Sequence, residues 1–254
     1  LGDVYKRQAE NERDFLNLSV IVFCVRRKRG VDLMKEERKE PIQIPHIQTI
    51  NDHISYLTPT EHPLSANVVI IEGDAFFWVY DVGNHPAVSE ILQKKSEQTG
   101  KEIRVILSHF HPDHIGNLSE ISCEAVYQGK NTFRYTKTGT VIEEDTWFQD
   151  GDVWLHLFPI PSSHAKGSLA LEVDETWCFL GDAAYATQKN GQTVYNAERL
   201  LAEIRVLKNV RAPHFFLSHS EPFQQNKEDV LEWMEAIYEK RKRDESYIKT
   251  PQRL

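Results

Sequence analysis

A dense group of histidines directly after a short buried strand constrains this chain more than any other feature. The largely apolar run Ile103–Leu107 is typical of a strand that is buried on both faces. The sequence HFHPDH begins two residues later. In an extended segment, side chains two positions apart point the same way, so His109 and His111 can face one ion. The proline that follows stiffens the turn and brings Asp113 and His114 beside them.

Imidazole and carboxylate groups at this spacing suit Zn²⁺, which binds both readily. A polar loop that is rich in histidine by chance is the alternative, but three of the chain's 11 histidines lie within these six residues. Three later strand ends each offer one more ligand, and these are His164, Asp182 and His219. The sequence therefore predicts a metal centre built at strand ends.

Apolar strand-length runs and amphipathic helical segments alternate along the rest of the chain. The predicted strands are residues 42–50, 53–57, 66–72, 76–82, 103–107, 153–158, 169–173, 177–180 and 215–217. The predicted helices are residues 87–98, 197–208 and 227–241. Strands lead both halves and helices follow, which favours helices packed outside layered sheets.

Charge and composition limit the classes of partner that the protein is expected to bind. The net charge of −8 gives no sign of the basic face that nucleic-acid binding needs. The longest apolar run, Phe15–Val25, has 11 residues, and a membrane span needs about 20. The three cysteines, Cys24, Cys123 and Cys178, lack CxxC spacing and favour a reducing compartment. We expect a cytoplasmic protein that acts on a small-molecule substrate and binds neither nucleic acid nor a membrane; its oligomeric state stays open.

The start of the chain has the character of a non-native extension. Residues 1–8, LGDVYKRQ, match the translation of a transposase adapter that is used to build sequencing libraries. The first methionine is Met34, and a polar start runs from there into a predicted strand. We therefore expect residues 1–33 to be a disordered non-native extension and residues 34–254 to form a single domain. The alternative is an authentic extension with Arg26–Arg29 as a basic tail.

The ligand pattern resembles that of the metallo-β-lactamase superfamily. The HxHxDH motif of that family and its later histidine, bridging aspartate and last histidine are matched in order by His109, His111, Asp113, His114, His164, Asp182 and His219. The resemblance covers roughly residues 42–220. It implies an α+β fold, a four-layer αββα sandwich, and two bound Zn²⁺ ions, with Mn²⁺ or Fe²⁺ as alternatives.

The resemblance also implies a role for each ligand. His109, His111 and His164 would hold the first ion. Asp113, His114 and His219 would hold the second, and Asp182 would bridge the two. This arrangement implies a dinuclear hydrolase in which a metal-bridging hydroxide attacks an ester-like carbonyl. Asp113 would orient that hydroxide and later take its proton.

A tyrosine three residues after the bridging aspartate bears on the substrate. The spacing of Asp182 and Tyr185 resembles that of the acyl-homoserine lactonases, in which the tyrosine donates a hydrogen bond to the substrate. A lactone is therefore the leading substrate, although Tyr185 could equally pack under a loop. Asp182 itself argues against β-lactamase activity, because true β-lactamases of this superfamily lack it. Thioester or phosphodiester hydrolysis, or a metal-binding redox or interaction role without hydrolysis, stay open.

Two other features concern the surroundings of the site. Asp81-Val82-Gly83 stands where the family commonly has Asp-Thr-Gly, so the carboxylate and the glycine are kept. Trp147, Phe148 and Trp154 could line a substrate pocket, but core packing is the expectation.

Overall fold

Strands that are apolar on both faces set the architecture, because each must be covered from two sides. The computed structural model describes residues 43–250. In the strand Val68–Glu72, Val69 and Ile71 point into a core between two sheets, whereas Val68 and Ile70 point into a second core beneath a helix. This alternation follows from the two-residue period of a strand.

The helices and strands are as follows. The helices are α1 (Pro86–Thr99), α2 (Pro112–Ile115), α3 (Lys130–Thr136), α4 (Ala197–Asn209) and α5 (Lys227–Tyr238), and a short 3₁₀ helix spans Leu118–Glu120. The strands are β1 (Ile47–Thr49), β2 (Ile54–Leu57), β3 (Thr60–Glu61), β4 (Leu64–Ser65), β5 (Val68–Glu72), β6 (Phe76–Tyr80), β7 (Glu102–Leu107), β8 (Ala125–Gln128), β9 (Thr140–Val141), β10 (Thr146–Asp150), β11 (Val153–Ile160), β12 (Ser168–Val173), β13 (Trp177–Gly181), β14 (Thr187–Lys189), β15 (Gln192–Asn196), β16 (His214–Leu217), β17 (Gln224–Asn226) and β18 (Tyr247–Lys249).

Two large sheets pack face to face with helices outside both. The first sheet has the strand order β1-β2-β5-β6-β7-β8-β9, and the second has the order β10-β11-β12-β13-β16-β17. Smaller sheets are formed by β14-β15-β18 and by β3-β4. One core lies between the large sheets, a second lies between the first sheet and α1, and a third lies between the second sheet and helices α4 and α5. The three cores separate four layers in the order α/β/β/α.

The segments with clear periodicity form the predicted strands and helices, whereas several short elements were not predicted from the sequence. All nine predicted strands and three predicted helices have counterparts, although the first strand begins only at Ile47. Helix α3 and strands such as β8, β10 and β15 were not predicted, since they are short and carry weak hydrophobic patterns. The boundary predicted between residues 33 and 34 lies outside the described residues. Within residues 43–250, every helix is too short or too polar to cross a bilayer.

A lone carboxyl group is buried under α4. Glu203 lies on the apolar stripe of this helix with Leu200, Ile204 and Leu207, and its side chain is fully buried. Within residues 43–250, neither carboxyl oxygen has a hydrogen-bond partner. Burial raises the pKa of Glu203 well above its usual value, because the charged form loses its water.

Replacing Glu203 with leucine is expected to stabilise the protein. Because the pKa of the carboxyl is raised in the folded state, its burial costs least below the unfolded pKa of about 4.3, where the group is protonated in both states. The free energy of unfolding then falls as the pH rises toward the folded pKa. Glu203→Leu should therefore raise the free energy of unfolding by about 2 kcal/mol at pH 8, and by less at pH 5. Urea denaturation in the presence of a chelator measures both values.

The matched control is Glu232→Leu, which changes an exposed glutamate on α5. It should alter stability by less than about 0.5 kcal/mol at either pH. An unchanged or lower stability of Glu203→Leu at pH 8 would contradict the destabilising role of the buried carboxyl.

Candidate metal centre

The carboxyl ends of strands from both large sheets meet at one edge of the sandwich. In the first sheet, β6 leads to Asp81, and the parallel strand β7 leads to His109. In the second sheet, the parallel strands β13 and β16 lead to Asp182 and His219. His164 follows β11 in the same sheet. Parallel neighbouring strands end at the same edge, so their following residues come together.

The three histidines assigned to the first ion converge on one point. His109 Nε2 lies 2.9 Å from His111 Nδ1, and His164 Nε2 lies 3.0 Å from the same atom. The oxygen Oδ2 of Asp182 lies 3.3 Å from His164 Nε2. The other ring nitrogen of His164 donates to the carbonyl oxygen of Ala186 at 3.0 Å, which leaves Nε2 as the free acceptor.

The residues assigned to the second ion form an adjoining group. His219 Nε2 lies 3.0 Å from Asp113 Oδ2, and His114 Nε2 lies 3.4 Å from the same oxygen. Asp182 Oδ1 lies 3.4 Å from His114 Nε2 and 3.9 Å from His219 Nε2. In each group the candidate ligand atoms all lie within 4.8 Å of one another, and Asp182 belongs to both groups. All seven predicted ligands therefore come together, in the partition that the resemblance implied.

Two buried atoms at the centre of this arrangement fit a cation. His114 Nε2 and Asp182 Oδ1 are buried, and no described residue gives either atom a hydrogen bond of good geometry. An orphaned buried polar atom costs about 1–3 kcal/mol, so such atoms are rare unless they serve a purpose. The donor set consists of imidazole and carboxylate groups alone, which suits divalent transition metals such as zinc. The residues present thus fit the implied metals.

A buried carboxylate behind the ligands fixes their orientation. Asp81 is fully buried, and its Oδ2 lies 2.7 Å from His114 Nδ1. The same oxygen accepts from the Ser108 hydroxyl at 2.7 Å, and Oδ1 accepts from the Ser108 N–H at 2.7 Å. The Ser108 hydroxyl also lies 3.0 Å from His109 Nδ1. Since Asp81 engages Nδ1 of His114, the other nitrogen is left to face the site.

The motif alone does not reveal the anchoring role of Asp81 and Ser108. The signal that could have found it is the position of Asp81, a carboxylate at a strand end beside the strand that bears the histidines. Asp81 also has a positive φ of 61°, and His219 has a φ of 60°. Such conformations are uncommon in residues other than glycine and persist where the surroundings enforce them.

A glycine is required immediately before the shared aspartate. Gly181 has a φ of +55°, and a Cβ added there would lie 2.7 Å from the Ser108 Cβ and Oγ. A side chain would therefore push β13 away from the end of β7. The close approach of the two strand ends places Asp182 beside the histidines of the other sheet.

Burial and neighbouring charges shift the pKa values of His109, His111 and Asp182. Burial lowers the pKa of His109 well below its usual value and lowers the pKa of His111 to about 4. Burial raises the pKa of Asp182, but the imidazoles, first that of His114, outweigh it and hold the pKa well below the usual range. Neutral imidazole and ionised carboxylate are the forms that bind a cation.

The pKa values of His114 and Asp113 are shifted in opposite directions by the charged groups around them. Burial lowers the pKa of His114, but the carboxylates of Asp182 and Asp81 outweigh it and raise the pKa well above its usual value. Burial raises the pKa of Asp113, but the hydrogen bond from His219 and the charge of His114 lower it overall. Asp113 is therefore ionised at neutral pH.

Tyr185 lies near the site with its hydroxyl directed to the backbone. The hydroxyl donates to the carbonyl oxygen of Ser218 at 2.8 Å, and the ring packs against the core beneath α4 and α5. Ser218 immediately precedes His219. In this arrangement the phenol hydrogen is engaged by the protein, so the predicted donation to a substrate needs an exchange of hydrogen bonds.

Comparisons with known proteins agree with this geometry. The model of the metallo-beta-lactamase superfamily matches residues 63–123, which include the HxHxDH motif. No match was found among curated proteins.

Solved structures with the same fold are many but distant in sequence. A metallo-beta-lactamase from Pontibacter korlensis is 15% identical with a TM-score of 0.60, and the match covers 78% of this chain and 100% of that one. A stereoselective inverting sec-alkylsulfatase from Pseudomonas sp. is 14% identical with a TM-score of 0.60, covering 77% of this chain and 42% of that one. A variant of a flavo di-iron protein from Thermotoga maritima is 12% identical with a TM-score of 0.57, covering 79% and 64%. At these identities the likeness establishes the fold alone.

Removing the charge of Asp81 is expected to weaken metal binding without removing a ligand. Asp81→Asn keeps the size and tolerates the positive φ, but it no longer offers an acceptor at both oxygens to His114 and Ser108. The affinity for Zn²⁺ should fall by about 10- to 100-fold, as measured by competition with a chromogenic chelator. Asp52→Asn, on an exposed bend, is the control. Equal affinities of the two variants would remove Asp81 from the centre.

Proposed function

This chain has the metallo-β-lactamase fold, the four-layer sandwich that the resemblance implied, and from that premise we propose that it is a dinuclear metal-dependent hydrolase of an ester-like carbonyl. The observation that carries the proposal is the pair of adjoining ligand groups that share Asp182. Two cations held there, zinc in the first instance, would polarise a carbonyl oxygen and lower the pKa of water. The substrate is a small molecule.

The residues of the chain have distinct tasks in this proposal. Asp113 is ionised, and its carboxylate is held by His219 at 3.0 Å. It orients the attacking water and takes a proton from it. Water adds to the carbonyl carbon, the ester C–O bond breaks, and the proton passes to the leaving alkoxide. Asp81 and Ser108 hold the imidazoles in place throughout.

A lactone with an apolar chain is the leading substrate. An aromatic pair beside the metal ligands supports this choice, since the Phe110 ring stacks on the Tyr135 ring at 4.7 Å and lies 5.0 Å from the His111 ring. Tyr135 is half exposed, so the pair offers an apolar wall next to the site. An acyl chain gains by packing on such a surface. Tyr185 would donate its hydrogen bond to the substrate oxygen after releasing Ser218.

A redox role is the second candidate. The likeness to a flavo di-iron protein favours it, because that fold neighbour matches 79% of this chain. The two functions differ in a simple observable. A hydrolase loses turnover on chelation and regains it with Zn²⁺ or Mn²⁺, whereas a redox protein has no hydrolytic turnover to lose.

The first test measures proton release in a pH-stat from a long-chain N-acyl-homoserine lactone, using the full chain loaded with Zn²⁺. We expect release that stops with a chelator and returns with metal. A protein that holds two metals and leaves the lactone intact contradicts the lactone assignment, and thioesters and phosphodiesters are then tested in turn. Absence of any hydrolysis across these classes contradicts the hydrolase.

Asp182→Ala should remove metal and activity together. The variant loses the only carboxylate shared by both ligand groups, so we expect fewer than two metal ions per chain and kcat/KM about a thousandfold lower. Elemental analysis after dialysis gives the metal content. Glu143→Ala, which removes an exposed carboxylate, should change neither quantity. Full metal content in Asp182→Ala would mean that another group bridges the ions.

Tyr185→Phe distinguishes donation to the substrate from support of the backbone. If the phenol donates to the substrate in the transition state, kcat for the lactone falls by about tenfold or more with little change in KM. Loss of the bond to Ser218 alone lowers the free energy of unfolding by about 1 kcal/mol. We expect both effects. Unchanged kcat with reduced stability would restrict Tyr185 to holding the strand end before His219.

A further inference from the structure

A cavity lies on the outer face of the second large sheet, far from the candidate metal ligands. Its volume is about 580 Å³, within the range of small-molecule sites. It is lined by Trp147, Asp152, Trp154, His156, Glu172, Asp174 and Glu175. Trp154 lies near the start of β11, whereas His164 follows the end of that strand. From Trp154 to Ile160 the strand rises about 20 Å, so the cavity and the metal centre occupy opposite ends of the sheet.

The cavity is a part of the sheet that the helices leave uncovered. Phe158 and Ile160 of β11 point to the outer face and pack in the core beneath α4 and α5. Trp154 and His156 occupy the same face of the strand but lie before this core begins. Trp147 on the edge strand β10 pairs with His156, and the two tryptophans are 53% and 49% exposed. The expectation of core packing for these two side chains was therefore wrong.

Hydrogen bonds hold the walls of the cavity rigid. The Trp147 ring stacks on the His156 ring at 3.9 Å with an interplanar angle of 1°. His156 Nδ1 lies 3.1 Å from Glu172 Oε2, and its Nε2 lies 3.3 Å from Asp145 Oδ2. The backbone N–H of Trp154 donates to Asp174 Oδ1 at 2.8 Å. A pre-organised aromatic wall loses little freedom when a ligand binds.

The charge of the lining is of one sign. Four of the seven lining residues are carboxylates, and neither lysine nor arginine is among the seven. Glu175 pairs with Arg211, and Glu172 pairs with His156. Asp152 and Asp174 are left without a cationic partner within the described part of the chain. Indole faces attract cations through their quadrupole, and nearby carboxylates add to that attraction.

We propose that this cavity binds a small organic cation, an alkylammonium group whose apolar part packs on Trp147 and Trp154 and whose charge faces Asp152 and Asp174. The site is independent of the hydrolytic centre. It combines the three features that recognise such a ligand: exposed indole faces, unpaired carboxylates and a concave shape.

The probe pair is choline and its neutral carbon isostere, 3,3-dimethylbutan-1-ol, titrated into the full chain. The indole N–H signals in ¹H–¹⁵N spectra report binding, and Trp147→Phe and Trp154→Phe assign the two that matter. We expect both signals to shift saturably with choline, with a Kd in the millimolar range or below. The isostere should move them far less, and the buried Trp78 signal should stay fixed.

Removal of the unpaired charges is expected to weaken choline binding. Asp152→Asn with Asp174→Asn should raise the Kd by about tenfold, and each single change by about threefold. At position 174, asparagine keeps an acceptor for the backbone N–H of Trp154 and suits the positive φ of 51°. Glu90→Gln with Glu97→Gln is the matched control, because it removes two exposed carboxylates on α1, which packs on the other large sheet, and should leave the Kd unchanged.

Several results would overturn the proposal. Equal binding of choline and the isostere would make the cavity a general apolar surface. Saturable shifts with methyl glucoside but not choline would make it a sugar site. Shifts that depend on protein concentration without ligand would make it a contact between two copies of the chain. Indole N–H signals that stay fixed at a choline concentration about tenfold above the expected Kd would show that the cavity does not bind an organic cation.

Discussion

Hydrogen bonds join the two sheets directly behind the candidate metal ligands, and the geometry of the site depends on this junction. The N–H of Leu169 in β12 donates to the carbonyl oxygen of Ser108 at 2.8 Å, at the end of β7. The buried hydroxyl of Tyr80 donates to the carbonyl oxygen of Leu169 at 2.8 Å. These bonds tie the histidine-bearing strand of one sheet to the middle of the other. The absence of a side chain at Gly181 lets Asp182 approach from the second sheet. Candidate ligands drawn from two sheets keep their relative positions only if the sheets do not slide, and hydrogen bonds between buried polar groups oppose sliding.

The convergence of the seven candidate ligands could be predicted from sequence because each is a polar residue at or just after the end of an apolar strand. Their partition into two groups came from family resemblance, and the positions of the strand ends in space account for it physically. The anchoring pair Asp81 and Ser108 was not assigned a role, since its meaning lies in a contact across two parallel strands rather than in spacing along the chain. The same reasoning accounts for Tyr185, whose spacing suggests substrate contact while its hydroxyl is engaged by Ser218. Spacing determines which residues can meet, and packing determines which of them do.

The short strands show a second limit of prediction from sequence. Strand β10 has five residues and carries two aromatic side chains in succession, Trp147 and Phe148, which a sequence pattern assigns to the core. In the sheet these neighbours point to opposite faces. Phe148 packs into the core between the sheets near Trp78, and Trp147 stands on the outer face beyond the reach of the helices. Whether an outward aromatic is buried depends on whether another element covers it, and no local pattern in β10 contains that information.

Buried carboxyl groups in this fold fall into two classes that differ in what surrounds them. Asp81 and Asp182 are buried beside imidazoles, so their desolvation is offset by charge and hydrogen bonds, and the pKa of Asp182 is lowered. Glu203 is buried beside aliphatic side chains, no group in the described part of the chain offsets its desolvation, and its pKa is raised. Burial alone therefore does not identify a functional carboxylate. The distinction is whether the surroundings favour the charged form, because a group that must bind a cation has to remain ionised in the folded protein. By that criterion the surroundings of Asp182 suit a cation-binding carboxylate, whereas the burial of Glu203 only lowers the stability of the fold.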